Sequence, residues 1–588
     1  MVRTIVKSVR QYKKASFLSM LFVPLEVGLE CIIPLIMSQL VDSIENSHFE
    51  NLWWYSIALI VMALLSLACG ALAGKFSAYA STGFASNLRD DLFNNIQRFS
   101  FSNIDTFSAS SLVTRMTTDV NNVQQAFMVS IRMAIRSPLM LIFSVIMAFV
   151  VSPKLAWIFI LMVPFILLIL VTIIYFAVKV FTRVFKKYDT LNNSIQENIQ
   201  GIRTVKSYVR EDYEDKKFYN ASESLRKEFT RAERIIALNN PTMQFAIYVV
   251  NLAVIFIGAY LVVTGSHFEN GEVIFGELST GGLSSLLVYG MQILMSLMMF
   301  SMIIVMITIS IESAKRINEV LVEQPTIKNP ENPITSISDG SIEFKNVNFK
   351  YNNKADKNVL SNINLKINSG ETIGIIGGTG SGKTSLVSLI SRIYDVSEGE
   401  VLVGGHNVKE YDVIELREAI SMVLQKNVLF SGTIKENLRW GDKNASDEEL
   451  VHACKLAQAD SFIQNFNDKY DTYIEQGGTN VSGGQKQRLC IARALLKKPK
   501  ILILDDSTSA VDTKTDALIR KSFKEYIPNT TKIIIAQRIS SIQDSDQIIV
   551  MDNGRIDAIG KHDELLKNNA IYKDIYYSQN KVSESEVK

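Results

Sequence analysis

The chain has 588 residues, more than one hydrophobic core organises, so at least two domains are expected. Its formal net charge of +2 gives no electrostatic footprint for nucleic acid. Four cysteines (Cys31, Cys69, Cys454, Cys490) and five histidines without paired spacing argue against a zinc site or a disulfide framework and leave the cysteines as packing residues.

Apolar residues make up 47% of the chain and crowd into its first half. A helix needs about 20 apolar residues to cross the hydrocarbon core. Runs of that kind occupy roughly 15–41, 53–74, 137–153, 155–178, 242–266 and 278–311, which predicts six spans. Lys and Arg crowd the N-terminal MVRTIVKSVRQYKK and the stretches after the second and fourth spans, whereas DSIENSHFEN and SHFENGEVIFGELSTGG have none, which predicts both termini on the cytoplasmic side. The first apolar run is too long for a signal peptide and is expected to be retained. The connections 75–136 and 179–241 are long and rich in helix formers, so helical hairpins reaching into the cytoplasm are expected there.

Two features inside the spans invite a functional reading. Glu26 and Glu30 stand four residues apart on one face of the first span, and carboxylates at membrane depth face either a cavity or a partner. Both a structural pairing with a neighbouring helix and recognition of a cation fit that pattern. The sixth span carries Met291, Met295, Met298, Met299, Met302 and Met306 within an arc of about 100°. Methionine serves adaptable binding surfaces, and it serves helix and lipid packing as well, which is the commoner use.

Three prolines in VEQPTIKNPENPITSISDG mark a linker over 326–340, dividing a membrane domain (1–325) from a soluble domain (341–588). The soluble domain opens its motifs with ETIGIIGGTGSGKTSLVSLI, a strand, a glycine-rich loop and a helix. This is a phosphate cradle: the N–H groups of Gly377, Gly378, Thr379, Gly380, Ser381 and Gly382 surround phosphate oxygens, Lys383 adds fixed charge, Thr384 offers a hydroxyl to Mg²⁺, and Ser385 follows on the helix. ILILDD brings Asp505 to a strand end as a Mg²⁺ carboxylate. In NVSGGQKQRLCIARAL, Ser482, Gly483 and Gly484 open a second helix and so build a second anion-binding N-terminus. One nucleotide has no need of two cradles unless the second serves a neighbour.

The order of these motifs resembles the ATP-binding cassette exporters of half-transporter type, nearly end to end. The resemblance implies an α-helical six-span membrane domain of exporter type followed by an α/β P-loop ATPase domain, with ATP and Mg²⁺ bound. Tyr351 of VNFKY resembles the aromatic that stacks on adenine, Gln425 the glutamine-loop residue that joins Thr384 and Asp505 at the metal, Val481 to Gln485 (VSGGQ) the signature, and Asp512 the D-loop aspartate. FSNIDTFSASSLVTRMTTDV and NIQGIRTVKSYVRED resemble the two intracellular loops. Two positions depart from the family pattern: Asp506 replaces the usual glutamate and Gln537 the usual histidine. A carboxylate one methylene shorter retreats by about 1–1.5 Å, and misplacement on that scale costs about a hundredfold in rate. Glutamine cannot become a cation.

The resemblance therefore implies a chain that holds ATP in a slow site and lends its signature to a different half-transporter, in a plasma membrane, exporting hydrophobic or amphipathic drug-like molecules. A homodimeric lipid or peptide exporter, and a non-transporting ATP-gated membrane protein, are the alternatives. The want of a peptidase-like segment before the first span speaks against peptides, and the short linker speaks against a sensor.

Overall fold

A computed structural model describes all residues except 47–48, 266, 270–271, 275, 277, 353–356, 508–509 and 586–588. The chain divides into two compact units, Met1–Arg98 with Phe107–Glu323, and Phe99–Thr106 with Gln324–Lys588.

The first unit is helical. Its long elements are α1 (Lys13–Glu45), α2 (Phe49–Arg98), α3 (Val120–Val151), α4 (Pro153–Gln200), α5 (Glu211–Ala237), α6 (Asn239–Gly265) and α7 (Thr280–Val322). Six helical stretches among the described residues are long and apolar enough to cross a membrane, in agreement with the six predicted spans. At 1.5 Å per residue the 50 residues of α2 extend about 75 Å, more than twice the thickness of a hydrocarbon core, so much of the helix lies beyond it. The long connections after the second and fourth spans are thus largely continuations of the spanning helices. Leu155, Phe159 and Ile166 of α4, Val250 and Val254 of α6, and Leu286, Tyr289 and Ile293 of α7 form one core, while Val23, Val27 and Cys31 of α1 pack with Ala73 of α2 in another. Polar side chains in these helices find partners: the Tyr289 hydroxyl donates to the Cys31 carbonyl at 2.8 Å, and Ser144 donates to Gln292 at 2.9 Å.

The second unit is α/β. Its main sheet is built from β3 (Thr372–Gly377), β5 (Ile420–Val423), β6 (Ile501–Asp505), β7 (Thr531–Ile535), β8 (Gln547–Asp552) and β9 (Arg555–Gly560), in the order β9–β8–β3–β7–β6–β5. All neighbours are parallel except β8 and β9. A second sheet joins β1 (Ile342–Phe349), β2 (Leu360–Ile367), β4 (Glu398–Val403) and the two residues His406–Asn407. The β6 strand ILILD is buried at every residue, as a parallel strand covered on both faces must be. The helices that matter for the site are α8 (Lys383–Ile390), α9 (Gly483–Leu496), α10 (Thr513–Tyr526) and α11 (Ala570–Ser585).

The domain boundary expected from sequence needs one correction. Residues 99–106, assigned to the membrane domain on sequence order, belong to the second unit. Asn103 explains why: its side chain donates to the Gln324 carbonyl at 3.1 Å and accepts from the Thr326 N–H at 3.2 Å, while the Tyr394 hydroxyl donates to Asp105 at 2.7 Å. The short helix Phe101–Thr106 beyond the end of α2 sets the Phe101 ring near that of Tyr394, and the hydrogen bonds of Asn103 and Asp105 complete its allegiance.

Candidate functional site

The site grows from the ends of adjacent parallel strands. Register pairs Asp505 of β6 with Ile535 of β7, and Ile535 with Ile375 of β3, so the loops leaving β3, β6 and β7 emerge side by side. Ligands bind at the carboxyl ends of such strands.

From β3 the chain enters the cradle at Gly377. Gly380 and Gly382 hold φ of +81° and +95°, a backbone region open to glycine, and Gly382 is the N-cap of α8. Lys383 folds back over the loop, its Nζ donating to the Gly377 and Gly378 carbonyls at 2.9 and 2.8 Å. Burial pushes its ammonium below the ordinary lysine range, and the nearby Asp505 and Asp506 oppose that shift. A phosphate has charge to offer where the lysine is desolvated.

Thr384 donates its hydroxyl to the Asp505 carboxylate at 2.9 Å. Asp505 is buried, and burial raises its carboxyl above the usual range against the lowering bond from Thr384. A hydroxyl and a carboxylate converging in this way are hard oxygen donors that fit Mg²⁺, so Thr384 and Asp505 are the residues that would hold it. No cluster of three or more His, Cys, Asp or Glu suited to a metal occurs among the described residues.

Asp506 takes a left-handed φ of +49°, and its N–H donates to the Ile535 carbonyl at 3.0 Å. The Gln537 side-chain amide donates to the Asp506 carboxylate at 2.7 Å. Gln425 hydrogen-bonds Asp506 as well; burial raises the carboxyl and these two bonds lower it. The structure thus brings Asp506, Gln537 and Gln425 together, with Gln425 on the second aspartate. Tyr351, on the rim, has its ring edge-on to Phe349 and Tyr394 at 4.9 and 5.1 Å and shares a 2.8 Å hydrogen bond with Ser385. About half exposed, it keeps a face for a base.

The signature motif is built differently. Ser482 is the N-cap of α9: its Oγ accepts from the Gln485 N–H at 3.3 Å and its own N–H donates to the Gln485 side chain at 2.9 Å. Val481 packs its side chain against the helical core cluster. A Cβ on Gly484 would lie 2.8 Å from the Ala510 carbonyl oxygen, so only glycine fits that approach. Asp512 caps α10 by accepting from the Thr515 N–H at 2.9 Å, a bond that holds its carboxyl below the usual range. No hydrogen bond among the described residues joins the signature to the cradle of the same chain.

In the first unit, Glu26 and Glu30 are both held by Arg136 of α3. Arg136 bonds Glu26 and reaches both Glu30 oxygens at 2.8 and 2.9 Å. Of the two readings open from sequence, the pairing with a neighbouring helix is what the geometry displays. Arg136 was missed because it stands one residue before the third apolar run, where composition alone ends the span. Met291, Met295, Met298 and Met302 are exposed on the surface of the single chain.

Comparison with known proteins agrees with the two units. Residues 16–296 match the family described as ABC transporter transmembrane region, and residues 360–509 match the family described as ABC transporter. The chain is 34% identical over 571 residues to the Uncharacterized ABC transporter ATP-binding protein YfiB of Bacillus subtilis, covering 97% of each chain. It is 31% identical over 558 residues to an ATP-dependent lipid A-core flippase of Syntrophus aciditrophicus, covering 94% of this chain and 90% of the other. A solved bacterial Atm1-family ABC exporter with ATP bound has the same fold, with a TM-score of 0.82 at 22% identity over 96% of this chain and 99% of that one.

Proposed function

The chain belongs to the ABC transporter family, and from that premise we propose that it is the slow-site half of a heterodimeric, ATP-driven exporter. It binds ATP and Mg²⁺ in its own cradle, with Tyr351 against the base, Lys383 on the phosphates, and Thr384 and Asp505 at the metal. It lends Ser482 to Gln485 to a partner half-transporter that carries the full catalytic pair. Both termini lie in the cytoplasm and the assembly sits in the plasma membrane. Its cargo is a hydrophobic or amphipathic, drug-like small molecule.

One observation carries the slow site: the Gln537 amide is spent on Asp506 at 2.7 Å. A general base must reach the proton of the attacking water. Here the shortened carboxylate is satisfied by two amides, and neither amide offers positive charge to a γ-phosphate. The signature, by contrast, keeps a complete capping box at its helix start.

Restoring the pair tests this. In the complex purified through a tag on this chain, Asp506→Glu with Gln537→His raises ATP hydrolysis at this chain's site by about 10- to 100-fold. Hydrolysis unchanged by the double substitution overturns the slow-site assignment, and two copies of this chain in the intact complex overturn the heterodimer. A lipid cargo is the second reading, supported by the flippase relative. Headgroup movement between leaflets in vesicles holding the complex, with no efflux of small cationic dyes, selects it.

A further inference from the structure

The loop that carries Gln537 is held from outside the site. It runs from the end of β7 to the short turn Ile539–Ser541, and side chains grip it on two sides. On one, the Ser541 hydroxyl donates to Asp516 of α10 at 2.9 Å, and Asp516 is buried against Arg520. On the other is Gln579 of α11. Its Nε2 donates to the Gln537 carbonyl at 2.7 Å and its Oε1 accepts from the Ile539 N–H at 2.9 Å. Both ends of one amide therefore bridge the backbone from Gln537 to Ile539.

The arrangement follows from helix periodicity. Tyr572, Ile575, Tyr576 and Gln579 stand at i, i+3, i+4 and i+7, so they share one face of α11. The first three bury that face: Tyr572 is wholly buried and hydrogen-bonded to His562 at 2.7 Å, and Ile575 and Tyr576 pack on the helical core. Gln579 is the polar residue at the end of this apolar stripe, where the stripe runs out over the loop. A polar side chain on a packed face is expected to have bonding partners, and the partners here are the backbone of the residue that caps Asp506.

We propose that Gln579 is a positioning residue for the nucleotide site: by fixing the backbone of residues 537–539 it keeps the Gln537 amide on Asp506. This rests on the slow-site reading for its meaning, since a loop held against Asp506 is a loop kept from the γ-phosphate. The last helix thus tunes how long ATP stays on this chain.

The test uses the full complex in its native lipid, with a photoreactive azido-ATP and Mg²⁺ as probe and labelling scored separately on each chain. Gln579→Ala shortens the residence of nucleotide on this chain about tenfold, with labelling at saturation and the thermal midpoint unchanged. In a Gln537→Ala background the same substitution has no further effect, because both act through one amide. Additive losses in the double variant, or a lower thermal midpoint with residence unchanged, overturn the proposal by making Gln579 a structural anchor. If nucleotide on the wild-type chain turns over as fast as on the partner, the slow-site reading falls; the positioning role of Gln579 then stands if Gln579→Ala changes that turnover and is overturned if it does not.

Discussion

Two helices of the second unit open toward phosphate chemistry, and their first turns are built on opposite principles. At α8 the N-cap is Gly382, which has no side chain to give, so the unpaired N–H groups of the first turn are left for a ligand. At α9 the N-cap is Ser482, and its reciprocal bonds with Gln485 satisfy two donors within the chain. In the proposed exporter the first turn of α8 is finished by nucleotide, whereas that of α9 is finished within the chain. A capped end keeps its shape without a ligand, as the proposed lending of the signature to a neighbouring chain requires, and an uncapped end leaves its donors available for one.

The largest effect comes from breaking the α8 side. Lys383→Ala removes the cation that bonds the Gly377 and Gly378 carbonyls, and ATP labelling of this chain falls by at least about a hundredfold. Labelling of the partner is preserved, because the α9 end is untouched. Equal loss on both chains would erase the distinction between the two helix starts.

A smaller effect sharpens it from the other side. In Gly484→Ala the new Cβ lies 2.8 Å from the Ala510 oxygen, so the signature or the D-loop must move. Overpacking of this kind costs about 1–3 kcal/mol. Hydrolysis at the partner's site falls about tenfold, while ATP affinity at this chain's cradle, measured by the same labelling, stays within twofold. A loss confined to this chain's own nucleotide would place the signature in the wrong active site.

Much of this was legible in the sequence, and the reasons differ by region. The cradle was legible because its chemistry is backbone chemistry at fixed spacing: Gly377 to Thr384 can be read in order and fold in order. The spans were legible because bilayer thickness sets their length, although composition ended the third one residue short of Arg136. Contacts between elements were not legible. Nothing in the spacing of Glu26 and Glu30 says that a guanidinium 106 residues from Glu30 holds both. Likewise Gln579 reads as one more polar residue near the end of the chain, and its meaning appears only when α11 lies against the loop after β7. Residues 99–106 follow the same rule: chain order places them with the bundle, whereas the hydrogen bonds of Asn103 with Gln324 and Thr326 place them in the second unit.

The smallest predicted effect asks what the uncapped side costs when empty. Burial raises Asp505 above the ordinary carboxylate range, so the folded state favours its protonated form. The sign follows from linkage. The group stabilises the fold below its unfolded value near pH 4 and loses that contribution as pH rises through the raised folded value, leaving a buried carboxylate that opposes folding at pH 7.5. Asp505→Asn keeps an oxygen to accept from Thr384 and removes the charge. The nucleotide-free complex should therefore melt about 2 °C higher at pH 7.5, with the gap closing toward pH 4.5. With Mg²⁺ and ATP present the order reverses, because the wild-type carboxylate then faces a cation. A variant that melts lower than wild type without nucleotide would mean that Asp505 is placed for the fold, and the contrast with the self-satisfied α9 end would lose its energetic basis.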